Sequence, residues 1–368
     1  MGLSIWRHLG MLLGLLSPAI RAQACDSRDT YHAYSQAMLD AISQNCPSFN
    51  GTVRIGANYT GPLILHNVTD LTGIQNDEYY NGPGLTSLEF PDLVNVEYLN
   101  LSYLSLLEKV SFPKLEYAEN IQMLVPTELP ELQFPSLKNT TGLRLEGNLS
   151  RVSFGVLDSV YGPVSVCSTE GCYESGPTFT TMKISFPALK HVQQLEITGN
   201  VSSLSIPELA SIVEVGGLKL EIYGSPVAVD FPKLSTIEGH AFMKGSITSL
   251  NFPLLREYPE TFGVKTSETL QINLPGEKGN VISLLGSIKS AQFPNLTDFK
   301  KFIVQSSEKF DCGSLIDALE DTAVEVRVEK DENVVCRGGA RTIRAGLAVT
   351  PAIAGSSDLV EPTVVIFL

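Results

Sequence analysis

The 368-residue chain reads as a stacked β-solenoid with helical caps, and three features carry that reading. The first is a tetrad, Phe-Pro-x-Leu. It occurs at Phe90-Pro91-Asp92-Leu93, Phe112-Pro113-Lys114-Leu115, Phe134-Pro135-Ser136-Leu137 and Phe186-Pro187-Ala188-Leu189, then at Phe231-Pro232-Lys233-Leu234, Phe252-Pro253-Leu254-Leu255 and Phe293-Pro294-Asn295-Leu296, with Ile206-Pro207-Glu208-Leu209 as an isoleucine version. The steps are 22, 22, 52, 20, 25, 21 and 41 residues. Worn copies at Phe154-Gly155-Val156-Leu157 and Leu274-Pro275 divide the two long steps. Such a period is the length of one solenoid coil. The second feature is strand-like alternation before each tetrad. The third is a close cysteine pair at either end of the array.

Within one coil, Leu88 and Phe90 alternate with Ser87 and Glu89, so one face points in and the other out. Pro91 has no N–H for a ladder and ends the strand. Leu93 and Val96 point back inside, and Leu99 and Leu101 form a second short strand. The next coil repeats this with Val110, Phe112, Leu115, Ala118, Ile121 and Met123. A single coil cannot bury its apolar face. Stacked coils share one core and pair their strands in parallel.

Residues 1–24 read as a secretory signal: Arg7 supplies the positive charge, Leu9 to Leu16 the short apolar segment, and Ala22-Gln23-Ala24 the small residues of a cleavage site. Cleavage there leaves Cys25 first and removes Arg7 and Arg21 with no acid, so the net charge moves from −14 to −16. An acidic exterior argues against nucleic acid and anionic lipid as partners. Any membrane attachment is expected only through a lipid anchor. Residues 25–62 form the expected N-terminal cap, with a helix from about Asp26 to Ser43 carrying Tyr31, Tyr34, Met38 and Ile42. The solenoid is expected over 63–310, with an edge insertion at 161–181 rich in Gly and Pro. The C-terminal cap spans 311–337, with a helical stripe of Leu315, Ile316 and Leu319 and an edge strand over 323–328. Residues 338–368 form a tail with small-residue clusters and a short apolar end, a weak match to an anchor signal.

The six cysteines lie in local pairs, so the predicted bridges are Cys25–Cys46, Cys167–Cys172 and Cys312–Cys336. No CxxC is present, and neither a structural metal nor a cofactor is expected. Asn-x-Ser/Thr occurs at Asn50, Asn58, Asn67, Asn100, Asn139, Asn148, Asn200 and Asn295, each a candidate N-glycan site. Asn58 and Asn67 sit in strand-like stretches.

The aliphatic-Gly strand start and Leu71-Thr72-Gly73-Ile74 turn within Cys46 to Gly73 resemble a receptor L domain. That resemblance implies a right-handed, parallel β-helix-like solenoid with leucine-rich-repeat character. The Phe-Pro-x-Leu array, cysteine pairs and secretory signal together resemble, over about residues 25–337, a fungal cell-wall-organisation family that includes sporulation-specific wall proteins. Members are typically glycolipid-anchored surface glycoproteins implicated in wall integrity, with no catalytic residues to carry over. This chain departs from the family in lacking a long Ser/Thr-rich stalk.

No catalytic constellation emerges from the residues. His32, His66, His191 and His240 lie in different coils, and nucleophile, phosphate-loop and HExxH motifs are absent. A β-helix polysaccharide enzyme needs carboxylates converging on adjacent coils. The row before the aromatic holds Glu89, Ser111, Gln133, Ser185, Ser205, Asp230, Asn251 and Gln292. The row after proline holds Asp92, Lys114, Ser136, Ala188, Glu208, Lys233, Leu254 and Asn295. Neither row concentrates acid. The expectation is a non-enzymatic, extracellular wall-organising glycoprotein. The alternative is a receptor-type ectodomain binding glycan or protein, with wall polysaccharide or wall proteins as partners and Tyr98, Tyr103 and Tyr117 as the outward aromatics. A secreted β-helix enzyme ranks last.

Overall fold

The computed structural model describes residues 30–345, apart from 47–48, 77–83, 130–131, 170–171, 173–179, 323–324, 327–333 and 339–340. The signal segment, Cys25 and the end of the tail lie outside the described residues. The chain opens with β1 (Thr30–Ala33), α1 (Gln36–Asn45), β2 (Thr52–Ile55), β3 (Thr60–Ile64), β4 (Asp70–Asn76), β5 (Gly84–Glu89), β6 (Asn95–Ser102) and β7 (Lys109–Ser111). It continues through β8 (Tyr117–Leu129), β9 (Leu132–Gln133), β10 (Asn139–Leu149), β11 (Arg151–Ser153), β12 (Ser159–Ser168), β13 (Met182–Ser185), β14 (His191–Ser205) and β15 (Ser211–Ile212). It ends with β16 (Leu218–Asp230), β17 (Thr236–Ile237), β18 (His240–Asn251), β19 (Thr261–Asn273), β20 (Lys278–Gln292), β21 (Asp298–Ser306), α2 (Cys312–Thr322), β22 (Glu325–Val326), β23 (Val334–Gly338) and β24 (Arg341–Ala345).

These strands wind into a parallel β-solenoid of about 11 turns. The long sheet runs through β1, β2, β4, β6, β8, β10, β12, β14, β16, β18, β19, β20, β21 and β23, each parallel to the next. The opposite wall is built by β3, β5 and β7, then by β9, β11, β13 and the later halves of the long strands.

The tetrad is a corner. The N–H of its leucine donates to the phenylalanine carbonyl three residues back, as in Leu137 to Phe134 and Leu234 to Phe231 at 3.3 and 3.1 Å. Proline at the second position of such a turn supplies the required φ and loses no ladder bond. The aromatic points inward. Phe90, Phe112, Phe134, Phe154 and Phe186 stack with centroid spacings of 5.4, 5.4, 5.3 and 5.3 Å and near-parallel planes. Ile206, Phe231, Phe252, Leu274 and Phe293 continue the buried column. Leu65 begins it, its N–H donating to Glu89 of the next coil just as Phe90 donates to Ser111. Both worn copies are therefore true rungs. Each fully buried side chain of this size contributes about 1.5–3 kcal/mol.

Several expectations shift. The helix begins at Gln36, because Thr30–Ala33 is drawn into the sheet as a strand parallel to β2. Tyr31 hydrogen-bonds the Met38 carbonyl across that junction at 3.0 Å. The first coil therefore starts inside the expected cap, at β2 and β3. Residues 161–168 belong to β12, paired with β10 and β14 on its two sides, so the insertion starts only at about residue 169. Tyr161-Gly162-Pro163 is a bulge in that strand and not the start of a loop. In α2 the stripe Leu315, Ile316 and Leu319 is buried as expected. The strand expected over 323–328 is described only as Glu325–Val326, and it is not the last: β23 and an antiparallel β24 extend the sheet beyond the 337 boundary.

The row after proline has an electrostatic role. Lys114 pairs with Asp92 at 2.8 Å and Lys233 with Glu208 at 2.5 Å, coil to coil. One row on, Lys138 pairs with Glu116 and Lys190 with Asp158. The hydrogen bond from Lys114 holds Asp92 below the usual carboxylate range, and that from Lys190 does the same for Asp158. Lys109, followed by Ser87, lowers Glu89 against an opposing burial effect. A carboxylate lowered in the folded state stabilises above its unfolded pKa, and that stability is lost as pH falls through the folded value. The expected result is a Tm nearly level from pH 7 to 5 and falling below about pH 4, the fall shrinking at high salt. Thermal melts across that range check it; a Tm rising on acidification would contradict it.

Candidate functional site

On the outward face of the long sheet, side chains from successive coils form rows because every coil keeps one register. One row runs Asn100, Gln122, Arg144, Ser165, Glu196, Lys219 and Phe242. Two residues further along lie Glu146, Cys167, Thr198, Glu221 and Lys244. Ion pairs knit the middle of this face. Arg144 contacts Glu146 at 2.5 Å and Lys219 contacts Glu196 at 2.6 Å. Lys219 and Lys244 flank Glu221 at 3.8 and 3.7 Å. Burial pushes the Glu221 carboxyl up, but the Tyr223 hydroxyl and the two lysines outweigh it and leave it lowered. Lys219 is raised, chiefly by its hydrogen bond to Glu196.

A groove of about 800 Å³ opens on this face across β8, β10, β12 and β14. Gly142 and Gly162 both line it: a Cβ on Gly142 would meet only the Asn120 side chain, whereas a Cβ on the buried Gly162 would sit 2.3 Å from the Thr141 carbonyl oxygen of the paired strand, so that strand approach requires glycine. Along β12 the groove extends from Tyr161 to the Cys167–Cys172 disulfide. Six residues of strand make that about 20 Å. Four amide side chains, Asn120, Gln122, Gln193 and Gln194, line it together with Glu119, Glu146, Glu196 and Arg144. Tyr161 stands 63% exposed at its edge.

Two of the groove's three carboxylates are paired with cations. A general acid must hold its proton, which calls for burial away from cations. Glu146 and Glu196 instead each face a cation within salt-bridge distance. The stacked register does bring together one pair that was not legible in the chain: His191 Nδ1 lies 2.8 Å from Ser211 Oγ. Both stand on the outer edge, in the row of Asn139 and Ser159, and neither lines the groove. His32 stacks on Tyr34, His240 on Phe242, and His66 is exposed. Among the described residues no His, Cys, Asp and Glu cluster could hold a metal ion.

The disulfides Cys167–Cys172 and Cys312–Cys336 are present, with Cα separations of 5.9 and 5.7 Å. Cys46 is disulfide-bonded; Cys25 lies outside the described residues. Of the sequons, Asn50, Asn58, Asn67 and Asn295 are exposed, and Asn100, Asn139 and Asn200 are half-buried. Asn58 and Asn67 occupy turns, not strands. Asn148 is 5% exposed, and its Oδ1 accepts hydrogen bonds from the Thr180 N–H and hydroxyl at 2.9 and 2.8 Å. A glycan is attached through Nδ2, and a side chain so buried and so held offers it no path to solvent without unpacking this region. Glycopeptide mapping is expected to find Asn148 bare while exposed sites carry sugar; full occupancy at Asn148 would refute the packing seen here.

Of the outward tyrosines named from sequence, Tyr98 lies across Gly73 and reaches the Thr52 hydroxyl at 2.8 Å, and Tyr117 is 41% exposed. Tyr103 adopts a positive φ of 58°. Tyr161 and the amides escaped sequence reading, which compared only the rows beside the Phe-Pro corner. The signal was available ten residues after the aromatic, from Phe112 to Gln122, Phe134 to Arg144 and Phe186 to Glu196.

A stretch of 265 residues, 70% of this chain, is 26% identical to the "Cell wall protein ecm33" of Schizosaccharomyces pombe. The match supports a fungal cell-wall protein family. The chain spans 59% of that relative's length. No family model matches, and no solved structure does. Among the described residues, no helix is long and apolar enough to cross a membrane.

Proposed function

We propose that this protein is a non-enzymatic, N-glycosylated solenoid that acts at the cell surface or in the wall to organise the fungal cell wall. The observation that carries the reading is the match to a fungal cell-wall protein over 265 residues. The structure is compatible with it: a stack with one continuous buried core presents a rigid outer face, and each surface row repeats coil by coil. The cation-paired carboxylates of the groove favour a surface that holds a partner over one that cleaves it. The receptor L-domain likeness and a lipid anchor at the tail belong to the same reading.

Cells lacking the protein are expected to become hypersensitive to wall-perturbing dyes and to recover when it is restored. Purified protein is expected to release no sugar from wall glucans, chitin or pectin. Normal dye resistance without the protein would overturn the wall role, and measurable turnover would overturn the non-enzymatic one.

A further inference from the structure

We infer that the groove across β8, β10, β12 and β14 is a binding site for a neutral polysaccharide chain, with Tyr161 as its stacking platform and the amides of Asn120, Gln122, Gln193 and Gln194 as its hydrogen-bonding lining. The inference rests on the wall-organising reading for its setting and names the ligand class of that surface.

Four observations lead to it. The four amides make no side-chain hydrogen bond among the described residues, although each offers two donors and an acceptor. Next to them on the same face, charged and hydroxyl side chains do pair, as in Glu196–Lys219 and Tyr223–Glu221. Unspent amide capacity gathered in one concave place matches a ligand with many hydroxyls and no charge. Tyr161 adds an exposed aromatic face and a hydroxyl, and it is the most exposed of the described tyrosines. A pyranose ring presents the complement: an apolar C–H face and equatorial hydroxyls at its rim. The charge disfavours anionic polymers: Arg144 offsets Glu146 and the adjacent Lys219 offsets Glu196, while Glu119 adds a further negative charge to the lining. The size fits as well. The groove measures about 20 Å along β12 and about 14 Å across three strand spacings, room for several linked sugar rings. Gly142 places no side chain beside Asn120 to fill the groove.

The test is calorimetric titration of the full secreted chain with laminarihexaose and chitohexaose as neutral probes and with polygalacturonate as the anionic one. At least one neutral hexasaccharide is expected to bind, and polygalacturonate is not. Tyr161→Ala and the double change Gln122→Ala with Gln193→Ala are each expected to weaken binding at least about tenfold. Tyr223→Ala, outside the groove, is expected to leave it unchanged. The substituted side chains lie at the surface, so a Tm within about 2 °C of the parent verifies the fold. No binding of either neutral probe, groove variants that bind like the parent, or equal binding of polygalacturonate each overturns the inference. The two readings separate through dye resistance: a chain that restores the wall yet binds neither neutral probe refutes the glycan site and leaves the wall role standing.

Discussion

Replacing Phe134 by alanine is expected to cost about 3–5 kcal/mol of stability. The ring is fully buried and sandwiched between Phe112 at 5.4 Å and Phe154 at 5.3 Å. Its two faces are closed by neighbouring coils, and Leu132 and Leu137 of its own coil are also fully buried. The coil spacing is set by backbone hydrogen bonds, so the stack cannot close the gap by sliding together. Both transfer free energy and cavity cost are therefore incurred. For a chain of this size a Tm lower by about 5–10 °C follows. Phe134→Leu should cost far less, below about 1.5 kcal/mol, because the column already accepts Ile206 and Leu274 as rungs. Thermal or denaturant unfolding of the two variants decides the matter. An alanine variant melting within about 2 °C of the parent would mean that the column is not the core.

A single methyl group at Gly245 is expected to do comparable damage by another route. Gly245 has φ of +109°, and a Cβ there would lie 1.8 Å from the Ile222 carbonyl oxygen. This glycine stands where β18 bends from one wall to the other, and its close approach to β16 keeps adjacent coils in register. Gly286 repeats the device at the same corner two coils further on, 1.9 Å from the Thr266 carbonyl oxygen. Gly245→Ala must strain its own backbone, by about 1–3 kcal/mol, and also push a paired strand away. The total is expected to reach about 3 kcal/mol or more, seen as a poor yield of folded protein and a lower Tm. Gly155→Ala is the matched control. Nothing lies within 4 Å of its Cβ position, and its effect should stay within about 0.5 kcal/mol. Equal Tm values for the two variants would show that the corner geometry is not needed.

Much of this architecture is legible along the chain because the repeat is a local signal. Phe, Pro and Leu at fixed offsets encode a turn and two inward positions, and these need no knowledge of the neighbour. The column from Phe90 to Phe293 and the rungs at Phe154 and Leu274 follow from that spacing. Thr30–Ala33 shows where local reading stops. Its Tyr31 fits a helical stripe with Tyr34, Met38 and Ile42, yet strand pairing with β2 prevails because the sheet's first edge supplies hydrogen bonds that an isolated segment cannot. The same limit hid the start of the insertion, since Tyr161-Gly162-Pro163 looks like a loop until β10 and β14 flank it.

The order of residues alone determined the coil length, the inward column, the turn at each corner and the two local disulfides at residues 167–172 and 312–336. Each depends on residues close together in the chain. Only the folded stack decided which surface groups meet: Lys114 with Asp92, His191 with Ser211, and the four amides with Tyr161 in one groove. Those neighbours are drawn from different coils, from 20 residues apart for His191 and Ser211 to 74 for Asn120 and Gln194. Their alignment depends on a register that bulges and corner glycines shift by one to three residues, an amount no periodic reading of the sequence resolves.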